Sequence, residues 1–281
     1  MSFPAVELAV SSWPDFVQAV TALDTSWVFR GGLKHWSPQT TLERALKAWN
    51  IPAHQAADAE RRLVRDFQRH PEVRHLGVAA DDYLGWFALM QHHGAPTRLL
   101  DWTYSPFIAA FFACDALFQA EMRPRDPEAE AAVVWALNTK WLAGALRRAL
   151  PPDDWRLSQD TKRREAFAAV YVDRTPPVRF VSPATPRQLN DRLSIQQGVF
   201  LCPADVSVSW LENLSVVDFG RDDSRARAFL LGRALMPAAF EGLQRMNVTA
   251  RSLQPGLDGY ARSMNHRIRL LLDIPLSETD H

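Results

Sequence analysis

The segment from Gln91 to Thr103 constrains the fold of this chain more than any other. It lies between two strongly apolar blocks. Tyr83-Leu84-Gly85-Trp86-Phe87-Ala88-Leu89-Met90 precedes it, and Pro106-Phe107-Ile108-Ala109-Ala110-Phe111-Phe112-Ala113-Cys114 follows it. The first reads as a helix and the second as a buried helix. A chain that packs both must turn between them, and Gly94-Ala95-Pro96 supplies the turn. Thr97-Arg98-Leu99-Leu100 then reads as a strand closed by Asp101-Trp102-Thr103. Asp101, Thr103 or Ser105 can cap the second helix, with Pro106 in its first turn. Capping accounts for one polar residue. Two His, an Arg, an Asp, a Trp and two Thr are more than a cap needs. Either Arg98 and Asp101 knit a buried network between turn and helix, or the segment lines a site.

Bulk properties narrow the function. Of 281 residues, 47% are hydrophobic, enough for a substantial core in one large domain or two small ones. The 32 basic and 32 acidic residues cancel, which argues against a mainly electrostatic nucleic-acid binder. Cys114 and Cys202 both have apolar neighbours and read as buried thiols in a reducing compartment. Neither belongs to a zinc-binding pattern, so no metal is expected. The first residues lack the basic region and apolar core of a signal peptide. The longest apolar run is far below the ~20 residues that span a bilayer. A soluble, cytoplasmic protein with no membrane contact is the expectation.

Helical stripes and strand-formers alternate irregularly, which predicts an α+β fold. Helices are expected from Trp13 behind a Ser12 cap, over Thr41 to Trp49, and over His54 to His70 with Ala57, Leu63, Val64 and Phe67 inward. Others are expected from Asp81-Asp82 into the opening motif, over Trp141 to Leu150, over Ala226 to Gln244, and from Tyr260. Strands are expected at Trp27-Val28-Phe29, Ala131 to Leu137, Val178 to Val181, Val199 to Leu201 and Leu214 to Phe219. Ser182 to Pro186 reads as a rigid turn, 254–259 as a tight turn, and 121–130 as a charged surface loop.

Three places can carry chemistry. Trp27-Val28-Phe29 ends in Arg30-Gly31-Gly32, which puts a guanidinium beside backbone that a ligand can approach closely. Arg suits phosphates and carboxylates, though Arg30 is equally compatible with a structural ion pair. In the opening motif, His92 and His93 point about 100° apart on a helix, so they cannot chelate one metal, and one of them can face a site. Gln196-Gln197-Gly198, before a strand, offers amide groups to a ligand or is a plain polar turn. The chain has no P-loop, GxGxxG, GxSxG or HExxH motif, which removes the commonest NTPase, dinucleotide-fold, serine-hydrolase and zinc-protease readings.

Trp27 to Gly32, Leu42-Glu43-Arg44 and the whole of Gln91 to Thr103 together resemble the FRG domain, named for Phe-Arg-Gly. Glu60 with Phe67, Gln197-Gly198-Val199-Phe200 and Leu253 to Gly259 extend the resemblance over about residues 10–265. It implies a single FRG domain over 1–281. A more distant resemblance is to ADP-ribosyltransferases. Phe29-Arg30-Gly31 is similar to the Arg or His ending their first core strand. Thr97 to Thr103 with its following helix is similar to their second motif, and Gln196 to Phe200 stands where their third would be. That motif usually carries a catalytic Glu, and here there is Gln.

The second resemblance implies an ADP-ribosyltransferase-like split mixed sheet surrounded by helices, with helical N-terminal and C-terminal additions. It implies NAD as the substrate, bound by Phe29, Arg30, Gly31, Thr97, Trp102 and Thr103. Arg30 would sit on the phosphate or ribose side and Trp102 near the nicotinamide. Gln197 would bond a ribose hydroxyl or orient the acceptor, and His93 would be the general base. It further implies a toxin or phage-defence effector that modifies nucleic acid or protein, with an antitoxin partner. Two other readings stand beside it. One is a catalytically inactive module that binds a nucleotide or a nucleic-acid end in the same cleft. The other is a hydrolase or nuclease using His92 or His93 with Asp101.

Overall fold

The apolar run beginning at Ala131 becomes an interior strand of the sheet, because its side chains find a hydrophobic core on each face. In the computed structural model, which describes residues 2–73, 75–122, 131–161, 163–187, 191–220, 222–254, 256–257 and 259–264, seven strands form one mixed sheet. They are β1 (Val6–Ala9), β2 (Trp27–Leu33), β3 (Leu100–Thr103), β4 (Ala131–Asn138), β5 (Val181–Ala184), β6 (Gly198–Pro203) and β7 (Ala226–Gly232). Their order is β1-β7-β4-β2-β3-β6-β5. β1 and β7 run parallel, and every other pair is antiparallel.

The helices between the strands are α1 (Trp13–Thr21), α2 (Thr41–Ala48), α3 (Ala56–Arg69), α4 (Tyr83–His92) and α5 (Pro106–Met122). After β4 come α6 (Thr139–Ala149), α7 (Pro152–Gln159), α8 (Arg164–Phe167), α9 (Asp191–Ile195), α10 (Trp210–Leu214), α11 (Met236–Arg245) and α12 (Ala250–Leu253). Residues 259–264 are helical as well, whereas Pro255 and Asp258 of the expected turn lie outside the described residues, as do 123–130 of the expected loop.

The alternation of β4 separates two cores. Val133, Trp135 and Leu137 enter one, with Val28, Phe87, Leu142 and Trp210. Ala132, Val134 and Ala136 enter the other, with Phe16, Phe29, Ala109, Ala113 and Phe240. α5 lies against the second face of β2. There Gly31 is indispensable, because a Cβ at that position would stand 2.0 Å from the Ala109 carbonyl oxygen and 2.5 Å from the Ala113 nitrogen. Cys114 and Cys202 are buried and free, and burial pushes both thiols up to about 12, so neither is a nucleophile.

Local signals place several elements as expected. The Ser12 hydroxyl accepts from the Asp15 amide and Asp82 accepts from the Gly85 amide, each capping its helix. Gly94, at φ +81°, ends α4 in a Schellman motif: the Ala95 amide donates to the Met90 carbonyl at 2.9 Å and the Gly94 amide to the Gln91 carbonyl at 3.1 Å. Ser105 caps α5 through the Ile108 amide at 3.3 Å.

Other expectations are corrected. β2 continues through Arg30-Gly31-Gly32 to Leu33, so Arg30 is mid-strand and faces Trp135 across the ladder. Residues 226–232 form a strand, not a helix, because the apolar run fills a central position between β1 and β4 and needs no polar face. Val6–Ala9 is an edge strand rather than part of a helical addition. The turn expected at Ser182 to Ala184 is part of β5, where Pro183 is tolerated because the strand is at the sheet edge. Leu214 to Phe219 is the end of α10 and a turn, with Val217 donating to the Leu214 carbonyl. β3 starts at Leu100 rather than Thr97, and Leu63 on α3 is exposed.

Candidate functional site

β2 and β3 are neighbours joined by one register pair, Phe29 with Thr103. Beyond that pair the strands part. β2 continues against β4, and β3 continues against β6. A cleft of about 270 Å³ opens at the divergence, lined by Phe29, Arg30 and Gly31 of β2, Asp101, Trp102 and Thr103 of β3, and Gly198 of β6. α5 contributes Ala109, Phe112 and Ala116, Trp36 stands at the rim, and Arg192, Leu193 and Gln196 close the far side. A second cavity of about 40 Å³, lined by Ala88, Gln91, His92 and Phe200, shares Asp101, Arg192, Leu193 and Gln196 with the cleft.

Arg30 bridges the divergence, its Nη1 donating to the Asp101 carbonyl at 2.5 Å. Burial is the main cause that lowers its pKa below the ordinary arginine value; the Arg44 charge adds to that and Asp101 opposes it. The group remains a cation at neutral pH. The Asp101 carboxylate accepts from Gln91 Nε2 at 2.8 Å, and Gln91 Oε1 in turn accepts from the Thr97 hydroxyl at 2.5 Å. Thr97 is fully buried, and its amide donates to the Thr41 hydroxyl at 2.9 Å. The motif thus hangs Asp101 from α4 and α2 through a relay of amide and hydroxyl groups.

Arg98 takes a different part from the pairing with Asp101 that local sequence suggests. Its guanidinium is buried, ion-paired to Glu60 of α3, and donates to the carbonyls of Tyr171, Pro203 and Ala204. Glu60 reaches it because Ala56, Glu60 and Val64 form the buried stripe of α3 at helical spacing.

The structure brings Phe29, Arg30, Gly31, Trp102 and Thr103 to the cleft. Trp102 borders it, but its ring stacks on Trp210 with centroids 6.2 Å apart, so the aromatic surface available is that of half-exposed Trp36 and of Phe112. The Thr103 hydroxyl is committed to the Gln196 carbonyl at 2.7 Å. Thr97 is in the buried relay instead of on the cleft wall. His93, exposed at the C-terminal cap of α4, lines neither cavity, whereas its neighbour His92 lines the smaller one.

Gln197 lines neither cavity, and Gln196 lines both. The reason is backbone geometry. Gln197 is the left-handed residue after α9, at φ +47°, with its amide on the Ser194 carbonyl and its carbonyl accepting from Tyr104. Glycine prefers that conformation, so Gln197→Gly is expected to raise stability by about 0.5–1 kcal/mol in chemical denaturation, with the cleft unchanged. Trp36, Phe112 and Ala116 belong to no motif of the sequence. Arg192 and Leu193 carry a signal only as the residues that lead into Gln196-Gln197-Gly198.

Among the described residues no cluster of three or more His, Cys, Asp or Glu could hold a metal ion. No helix among them is long and apolar enough to cross a membrane. A family model described as FRG domain matches residues 25–121, about a third of the chain. It takes in β2, the Gln91–Thr103 motif and nearly all of α5, and it ends before α9 and β6. No curated protein matches the chain, and no solved structure does.

Proposed function

From the premise that residues 25–121 are an FRG domain, we propose that the chain is an NAD-dependent ADP-ribosyltransferase working in the cleft between β2 and β3. The observation that carries this reading is the divergence itself. Two adjacent strands share one pair and then part, leaving Arg30 on one lip and Thr103, Gln196 and Gly198 on the other. Three separated stretches of sequence, each similar to a transferase motif, meet at that opening.

Arg30 grips the diphosphate or ribose oxygens of NAD, for which a planar fork of donors is suited. Trp36 and Phe112 offer faces to its rings. Breaking the nicotinamide–ribose bond builds positive charge on the ribose, and the bonding pair leaves with the nicotinamide nitrogen. The third motif supplies amides rather than a carboxylate. Asp101 supplies one from β3, already fixed by Gln91 at the cleft wall. An anion held there stabilises the developing cation without reorganising. Transfer to nucleic acid or protein, as by a toxin or phage-defence effector, is the biological form this activity would take.

Titration with NAD by calorimetry tests the reading. Wild-type protein is expected to bind. Arg30→Ala is expected to lose at least tenfold in affinity while unfolding at close to the wild-type temperature, because Arg30 bonds one carbonyl across an already open divergence. Unchanged affinity in Arg30→Ala removes Arg30 from the site. Gln in place of Glu in the third motif favours a second reading, an inactive module that binds NAD or a nucleic-acid end. Binding without release of nicotinamide selects it.

A further inference from the structure

We infer that the small cavity beside the cleft is the acceptor side of the same site, where His92 takes the proton from an incoming neutral hydroxyl. The inference rests on the transferase reading above. The two cavities adjoin, both being lined by Asp101, Arg192, Leu193 and Gln196. A two-substrate transfer needs such an arrangement, because the attacking atom must reach the ribose from a position already fixed beside it. At about 40 Å³ the smaller cavity has room for one functional group rather than a second nucleotide. Its charged residues are balanced, with Asp101 from β3 and Arg192 from α9. With one charge of each sign the cavity has no net preference for an ionic group, and a neutral hydroxyl suits it.

His92 is the base that this cavity presents. It is the last residue of α4, its ring set edge-to-face against His93 at 4.9 Å. Burial first, then the charges of His93 and Arg192, hold its imidazole below the usual histidine pKa, while Asp191 opposes them. Around neutral pH it is therefore unprotonated and able to accept. His93, exposed like His92, does not line the cavity.

The step balances. The hydroxyl proton passes to His92, and the hydroxyl oxygen's lone pair forms the new bond to the ribose C1. The nicotinamide–ribose bond breaks with its pair leaving on the nicotinamide nitrogen, which departs neutral. His92 then returns its proton to water.

Methanol serves as the probe acceptor, with NAD as donor and O-methyl ADP-ribose and nicotinamide measured by mass spectrometry. In wild-type protein the rate of methyl ADP-ribose formation is expected to rise with pH through a midpoint below the usual histidine pKa. His92→Gly is expected to lose about a hundredfold or more of that rate, with NAD affinity retained in calorimetry. Free imidazole is expected to restore the rate in proportion to its concentration, which no merely structural role would produce. Wild-type rate and pH profile in His92→Gly, or a slow variant that imidazole does not rescue, overturns the inference and leaves the transferase reading standing. Failure of the wild-type protein to release nicotinamide overturns that reading, and this inference with it.

Discussion

Glu60→Ala is expected to destabilise the protein by about 3–5 kcal/mol, a drop of about 5–8 °C in unfolding temperature for a chain of this size. Both side chains of the Glu60–Arg98 pair are 2% exposed. Removing the carboxylate leaves a buried guanidinium with only carbonyls for partners. Burial opposes the Arg98 charge, and the nearby Glu60 outweighs it, so its pKa is held above the ordinary arginine value. The pair also ties α3 to the end of β6 and to the Tyr171 carbonyl, so the loss is felt on both sides of the first core. Glu60→Leu combined with Arg98→Met is expected to lose less than Glu60→Ala alone, because the unpaired charge is gone. A cost below about 1 kcal/mol for Glu60→Ala, read by chemical denaturation, contradicts this account of the pair.

Gly31→Ala is expected to cost about 3 kcal/mol, or about 5 °C in unfolding temperature. Overpacking is cheap when a flexible side chain can yield. Here the added methyl meets the backbone of α5, at the Ala109 carbonyl and the Ala113 amide. The helix must move as a unit off β2. Gly31 and Ala109 both border the cleft, so the same displacement widens the site. Calorimetric scanning reads the stability loss. A variant as stable as wild type would mean that α5 does not approach β2 this closely.

Much of this architecture was legible in local signals. Ser12, Asp82, Gly94 and Ser105 each mark a helix boundary by a hydrogen bond between near neighbours, and such bonds are written in short stretches of sequence. Ala131 to Leu137 was legible as a strand because Val133, Val134 and Trp135 stand at the centre of an uninterrupted apolar run. β7 was not, because Ala, Phe and Leu suit either a helix or a doubly buried strand, and only its place between β1 and β4 decides. Arg98 was legible as important, but its partner was not. Glu60 lies far away in sequence on α3, and the hint was a carboxylate on an otherwise apolar stripe.

The site divides in the same way. Arg30 and Thr103 were readable from the motif, and both border the cleft. Which of two adjacent residues lines a cavity was not readable. His92 rather than His93 lines a cavity because of how α4 is rotated at its end. Gln196 rather than Gln197 does so because the chain turns left-handed at Gln197. Both are set at a resolution of one residue that composition and spacing do not carry.

The central claim is that the divergence of β2 and β3 is an NAD-cleaving cleft. Incubation of the protein with NAD, followed by quantification of free nicotinamide, tests it most directly, with Arg30→Ala and Asp101→Asn run alongside. Wild-type protein is expected to release nicotinamide steadily. Arg30→Ala is expected to lose release through lost binding, and Asp101→Asn to lose it with NAD affinity retained. No nicotinamide above the spontaneous background from correctly folded wild-type protein, or equal release by all three proteins, would contradict it.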